Sequence, residues 1–236
     1  MMKIDLIPSV DFIKEDKLIG KSVIVIDMLR ATSVIVTAMK NKCKEVIPVV
    51  TIEEALALKE KYDCLLGGER RAVKIEGFDF SNSPLEYTED KVSGRVVTMT
   101  TSNGTRAIKG CEKGKTLIMA AMINGEAVAK KLVEIGDDVV IVNAGTEGEF
   151  SIDDFICGGH IINHLCNMEK EVELSDIAKT ALFVYRNNEN VEDYIKEARH
   201  YRRMMELGLQ DDFDYCCKKD ITDVVPVYKE GKIVNN

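Results

Sequence analysis

Short runs rich in Val, Ile and other apolar residues recur along the first two-thirds of the chain, each followed by a longer segment with apolar residues at helical spacing. This alternation constrains the fold more than any other feature. The runs cover residues 23–26, 45–50, 64–66, 95–100, 116–119 and 139–142. They are apolar at successive positions and not at alternate ones, the pattern of strands covered on both faces. Between them, residues 32–42, 52–62, 103–111 and 124–135 read as helices. A β-α-β-α order predicts an α/β fold: a mainly parallel, mixed sheet with helices on both faces. Residues 2–7 read as an additional edge strand. The final third changes character, with helices over 152–168, 175–186 and 191–207, then a short hairpin pairing 224–228 with 232–234 across Glu230-Gly231. No repeat or linker interrupts the pattern. The expectation is a single α/β domain over residues 1–236 with a helical C-terminal third, the alternative being a boundary near residue 170.

A chain of 236 residues, 45% hydrophobic and 31% charged, can bury roughly 70% of its unfolded surface and is globular in composition. Its formal charge of −8 argues against nucleic acid or an anionic membrane as the main partner and favours a small molecule. The first 20 residues are interrupted by Asp5, Pro8, Asp11, Lys14, Glu15 and Asp16, which is neither a signal-peptide nor a transit-peptide pattern. No later apolar run approaches the roughly 20 residues of a membrane span. The 7 cysteines are scattered with no C-x-x-C pair, so neither a disulfide framework nor a zinc ribbon is suggested. A cytoplasmic location is expected.

In open parallel sheets ligands bind beyond the carboxyl ends of the strands. Four strand-following loops are rich in polar groups. In the first, Asp27 ends an apolar strand, where a carboxylate needs a cation or donors. It reads as a metal ligand or as a local cap. Arg30 can fork onto an anion, and Thr32 and Ser33 offer hydroxyls at a helix amino end, either to a ligand or as an ordinary N-cap. The loop Thr100-Thr-Ser-Asn-Gly-Thr105 carries four hydroxyls, an amide and a glycine, suited to wrapping an anion or simply to turning the chain. Arg106 follows in the first helical turn. Glu69, Arg70 and Arg71 follow Gly67-Gly68. The Cys64-x5-Arg70 spacing is also that of cysteine phosphatases, but Glu69 would repel phosphate from such a cradle and Cys64 reads better as a buried apolar residue. Glu147, Glu149, Asp153 and Asp154 form an acidic group around a helix start, able to hold Mg²⁺ or merely to complement the helix dipole. Cys157, His160 and His164 share a face of that helix in an arrangement resembling a zinc set, for which packing is the simpler reading because no fourth ligand is evident.

Taken together, Val25-Ile-Asp-Met-Leu-Arg-Ala-Thr-Ser33, the block Gly67-Gly-Glu-Arg-Arg71 continuing to Pro84, Thr100-Thr-Ser-Asn-Gly-Thr-Arg106 and Ala144-Gly-Thr-Glu-Gly148 closely resemble the 2-phosphosulfolactate phosphatase family of coenzyme M biosynthesis. The resemblance runs from about Met1 to past residue 210. It implies an α/β fold of its own and a Mg²⁺-dependent hydrolase converting 2-phospho-3-sulfolactate to 3-sulfolactate and phosphate. Asp27 matches the family's strand-end aspartate, Arg30 its arginine, Glu69 and Arg70 its Gly-Glu-Arg block, and Thr101, Asn103 and Gly104 its Asn-Gly turn. The expectation is therefore catalysis by Asp27, Glu69 and Arg30. Substrate contacts are expected from Arg30, Thr32, Ser33, Arg70, Arg71, Thr101, Ser102, Asn103, Gly104 and Thr105. Mg²⁺ is expected on Asp27, Glu69, Glu147 and Asp154. A homodimer is the expected assembly. The competing readings are a phosphatase for another hydroxy-acid phosphate and a non-catalytic anion sensor.

Overall fold

The strand β2 (Ser22–Ile26) is buried at all five positions, as an unbroken apolar run needs when strands flank it and layers cover it. It pairs in parallel with β7 (Thr116–Ala120) on one side and β8 (Val139–Asn143) on the other. β8 pairs with β1 (Met2–Ile7), and β1 with β9 (Val172–Leu174), both in parallel. The edge expected at residues 2–7 therefore lies one strand further out. The chain returning from the long helix α6 (Ile152–Met168) places β9 beside Met2–Ile4, so Ile4, 1% exposed, is interior.

A second parallel set comprises β3 (Glu45–Pro48), β6 (Val96–Thr100) and β4 (Cys64–Arg70), with the two-residue β5 (Val73–Lys74) turned back on β4. The C-terminal hairpin, β10 (Pro226–Lys229) and β11 (Lys232–Asn235), is no appendage to this sheet. It sits between the two sets, antiparallel to β7 through Val227 and Ile118 and to β3 through Ile233 and Val46. Among the described residues the eleven strands run β5-β4-β6-β3-β11-β10-β7-β2-β8-β1-β9. The structure is a computed structural model and describes residues 1–188 and 190–235.

Helices lie on both faces. α1 (Ala31–Lys40) and α4 (Gly104–Gly110) share a core with Val25, Met119 and Val142 from one strand set and Val97 and Met99 from the other. On the opposite face α5 (Gly125–Ile135), α6, α7 (Asp176–Arg186) and the C-terminal helices bury Ile24, Ile26 and Ile141. α2 (Ile52–Lys61), which opens with a capping box between Thr51 and Glu54, covers the outer strands, and α3 (Glu89–Val92) is a single turn before β6.

The helix expected over 191–207 is two. α8 (Val191–Ile195) and α9 (Arg199–Glu206) are separated where Ala198 adopts an extended conformation, and α10 (Gln210–Cys216) follows. The break lets Ile195 and Ala198 both bury, at 0% and 4% exposure, and turns the start of α9 toward the strand ends. Among the described residues no helix is long and apolar enough to cross a membrane.

Candidate active site

The segments following β2, β6 and β8 and the end of β4 open on one cavity of about 810 Å³, closed on its far side by the start of α9. Of the residues singled out in the sequence, Asp27, Arg30, Glu69, Arg70, Arg71, Thr101, Ser102, Asn103, Glu147 and Asp154 line it. Thr32, Ser33 and Thr105 do not; each is fully buried in the scaffold behind it. Thr32 donates to the Asp27 carbonyl at 2.9 Å and accepts the Asp27 N–H, while Ser33 donates to the Met28 carbonyl at 2.7 Å. Thr105 and Thr101 exchange side-chain and backbone hydrogen bonds across the next turn. The hydroxyls of Thr32, Ser33 and Thr105 therefore brace the loops from behind the cavity.

That bracing leaves Asp27 with one engaged oxygen. Its Oδ1 accepts the Ala31 N–H at 3.0 Å. Oδ2 lies over Gly104, where a Cβ would come within 2.6 Å of it and 2.5 Å of the Ala31 Cβ. Gly104 is thus the gap that lets the Asn103 turn reach Asp27.

β4 continues past Leu66 through Gly67 and Gly68, so Glu69 and Arg70 are strand residues and not loop residues as the sequence suggested. Gly68, at φ +148°, packs with no room for a side chain: a Cβ there would lie 2.0 Å from the Thr100 carbonyl. The extension carries Glu69 to the cavity, where Oε1 accepts the Ser102 N–H at 2.7 Å and Oε2 accepts the Ala72 N–H at 2.6 Å and the Ser102 hydroxyl at 3.1 Å. Arg70 is tied to the Val50 carbonyl and Thr100 Oγ1, both at 3.0 Å. Cys64, at the other end of the strand and fully buried, is separated from Arg70 by about 20 Å of extended chain. That disposes of a cysteine-phosphatase cradle.

The acidic group at the start of α6 divides by role. Asp154 accepts the Met28 N–H at 2.8 Å through Oδ1 and the Gly145 N–H at 2.9 Å through Oδ2, clamping two loops together with both oxygens. Its oxygens, like those of Glu69, already carry N–H donors, which a cation would have to share. Glu147 is exposed, at φ +54° on a turn tip, and Glu149 pairs with Arg199 at the surface. Asp153, only 1% exposed, faces the cavity, accepts from the Ser151 hydroxyl and lies 3.8 Å from Nδ1 of His200 on α9. Burial, with the charges of Glu69 and Asp153, pushes the Asp27 carboxyl up to about 6 against the pull of the Ala31 N–H and His200. Asp154 is raised further, by burial and then by Asp153 and Asp27. Although burial lowers His200, the Asp153 carboxylate and then Asp27 outweigh it and hold the imidazole above its usual value. Asp27, Glu69 and Asp153 are buried hard-oxygen donors on the wall of one cavity, a donor set whose chemistry suits a divalent cation such as Mg²⁺ and which could hold one.

Around the acids stand six arginines: Arg30, Arg70, Arg71, Arg106, Arg199 and Arg203. Arg30 is 2% exposed and is committed on one side to Asp212 of α10, which also accepts from Ser83 at 2.6 Å; its other terminal nitrogen donates to the Ala72 carbonyl at 3.3 Å. Asn82 lies on the wall with its buried amide oxygen unpartnered. Asp153 was visible in the sequence only as one acid among four. His200, Asp212, Arg199 and Arg203 come from helices that sequence reading treated as an extension. Asn82 sat unremarked inside the block ending at Pro84.

The family model for 2-phosphosulpholactate phosphatase matches residues 7–231. A Clostridium acetobutylicum protein named "probable 2-phosphosulfolactate phosphatase" is 60% identical over 235 residues, 99% of this chain and 100% of the relative. Proteins of the same name from Clostridium botulinum (strain Eklund 17B / Type B) and Clostridium tetani are each 58% identical, covering 99% and 98% of this chain and 99% and 100% of their own. The chain belongs to the 2-phosphosulpholactate phosphatase family.

Proposed function

We propose that the protein is a Mg²⁺-dependent phosphatase hydrolysing 2-phospho-3-sulfolactate to 3-sulfolactate and phosphate, a step of coenzyme M biosynthesis. The observation that carries the reading is the pairing of buried carboxylates with an arginine rim in one cavity. The substrate bears a phosphate monoester, a carboxylate and a sulfonate, about −4 in all near neutrality. Arginines alone would hold such an ester without activating it, and acids alone would repel it.

Asp27, Glu69 and Asp153 would hold the Mg²⁺. Bound there, the ion supplies polarisation of the phosphoryl oxygens and offsets charge in an in-line displacement. The Thr101–Asn103 turn and Arg30 cradle the phosphoryl group, and Arg71, Arg199 and Arg203 orient the carboxylate and sulfonate. Phosphoryl transfer passes through a loose transition state, so positioning matters more than a strong base. Water is the attacking group: the position two residues beyond Asp27, where aspartyl-phosphatases carry a second acid, is Leu29. His200, on the cavity wall with Nδ1 3.8 Å from Asp153, is placed to return a proton to the departing 2-oxygen of sulfolactate.

Phosphate release from phosphosulfolactate and from phospholactate, each with Mg²⁺ and with chelator, tests the reading. Rapid Mg²⁺-dependent release from the sulfonated ester is expected. Equal turnover of phospholactate would defeat the sulfonate claim, and binding without turnover under any divalent cation would leave an anion sensor.

A further inference from the structure

We propose that His160, His164 and Asp220 form a second metal site, independent of the cavity, that takes a zinc-class divalent transition ion. None of the three lines the cavity. Along α6 the two histidines lie about 10 and 16 Å beyond Asp153, at 1.5 Å per residue.

The i, i+4 spacing puts both imidazoles on one helix face, with ring centroids 4.6 Å apart. Asp220 completes the group from the connector between α10 and β10. Its backbone is fixed by an N–H bond to the Met122 carbonyl at 3.1 Å, and its Oδ1 accepts the Glu126 N–H at 2.7 Å. Nε2 of His160 lies 3.1 Å from Oδ1, and Nε2 of His164 lies 3.1 Å from Oδ2. One ligand atom from each residue can be chosen so that all fall within 4.8 Å of one another. Bonds of about 2.1 Å place neighbouring ligand atoms about 3.0 Å apart in an octahedron and about 3.4 Å apart in a tetrahedron. The two imidazole–carboxylate distances already fall in that range, and the remaining separation would have to close for all three to share one ion.

The surroundings fit a ligand role. Nδ1 of His160 is 2.9 Å from the Tyr185 hydroxyl, which can donate to it or accept from it, so the ring can present an unprotonated Nε2 while its other nitrogen stays paired. Gly125 leaves the room: a Cβ there would meet His160 Nε2 at 2.8 Å. The side chains of His164 and Asp220 are each 21% exposed, which leaves an approach for the ion and a position for water. Two imidazoles and one carboxylate prefer zinc-class ions to Mg²⁺. Cys157, grouped with these histidines in the sequence, is not part of the set. A bound ion would tie the connector, and through it the Asp212-bearing helix, to α6.

The test uses the full chain, stripped with chelator and held in excess Mg²⁺ so that the cavity carboxylates are saturated, then titrated with Co²⁺ and Zn²⁺. One Co²⁺ per chain is expected, giving visible d–d absorption that Zn²⁺ abolishes, together with a rise in Tm on Zn²⁺ addition. His164→Ala and Asp220→Asn, verified as folded by circular dichroism, are expected to weaken binding about tenfold or more. Should Asp220→Asn fail to fold, His164→Ala decides alone, and His164→Gln replaces it if that variant also fails. No binding tighter than about 100 μM, about 5.5 kcal/mol, would overturn the proposal. So would equal binding by wild type and the His164 variant, or binding lost in Asp27→Asn but kept in His164→Ala.

Discussion

Replacing Gly104 by Ala puts one methyl group where the Asn103 turn meets Asp27. The new Cβ would lie 2.5 Å from the Ala31 Cβ and 2.6 Å from Asp27 Oδ2. Ordinary carbon contacts are about 3.5–4.0 Å, so about 1 Å must be absorbed by backbone-anchored neighbours. Overpacking of this kind costs about 1–3 kcal/mol. Gly104 has no left-handed backbone to accommodate, and Ala in a helix is favoured by up to about 1 kcal/mol, so the net loss is at most about 2 kcal/mol. For a chain of this length that is a Tm lower by up to about 8 °C. Activity should suffer far more, because a displacement of about 1 Å in a catalytic constellation costs on the order of 100-fold. Thermal unfolding and Mg²⁺-dependent phosphate release, measured on the same preparation, separate the two effects. Gly110→Ala on the same helix is the control: its Cβ would meet only the flexible tip of Ile13 at 3.1 Å, and both quantities should stay near wild type. A Gly104→Ala protein with wild-type kcat/KM and Tm would refute the contact between the turn and Asp27.

Breaking the buried Arg30–Asp212 pair by Asp212→Ala strands a guanidinium that is 2% exposed; about 3–5 kcal/mol should be lost, a fall in Tm of about 6–20 °C, and Arg30→Met/Asp212→Leu should recover most of it. Ser33→Ala leaves the Met28 carbonyl without its donor and should cost about 1–3 kcal/mol in denaturant unfolding with KM little changed, whereas Asn103→Ala should raise KM; the reverse pattern would return Ser33 to the substrate contacts. Asp79 is raised by burial but held lower overall by the Leu66 N–H and Lys59, so its ionised form stabilises the fold above the ordinary carboxylate range and that contribution disappears as pH falls through the lowered value. Asp79→Asn should accordingly lower Tm at pH 7, and the gap should close in acid; a gap that widened in acid would contradict the assignment.

The sequence carried the parallel strands clearly, because β2 and β8 are buried at every position and their apolar runs have no helical period. The hairpin was legible as a hairpin but not as the join between two strand sets, since that placement depends on single contacts more than 100 residues away, Val227 with Ile118 and Ile233 with Val46. β4 was cut short because Gly67-Gly68 reads as a turn unless Thr100 is known to lie against it. The carboxylates at strand ends were legible by their position. Which hydroxyls line the cavity and which lie behind it was not, because Thr32 and Ser33 differ from Thr101 and Ser102 only in orientation. Asp212 lies 182 residues from Arg30, and no local pattern could pair them. The break at Ala198 that brings His200 to Asp153 has neither Gly nor Pro to announce it.

Manganese replaces Mg²⁺ in most oxygen-ligand sites and scatters anomalously, as does the sulfur of 3-sulfolactate. Crystals grown with both should show the manganese bound by Asp27 together with Asp153 or Glu69, and the sulfur beside the Arg71, Arg199 and Arg203 guanidinium groups. Manganese found away from all three carboxylates, or sulfolactate bound outside the cavity, would contradict the account.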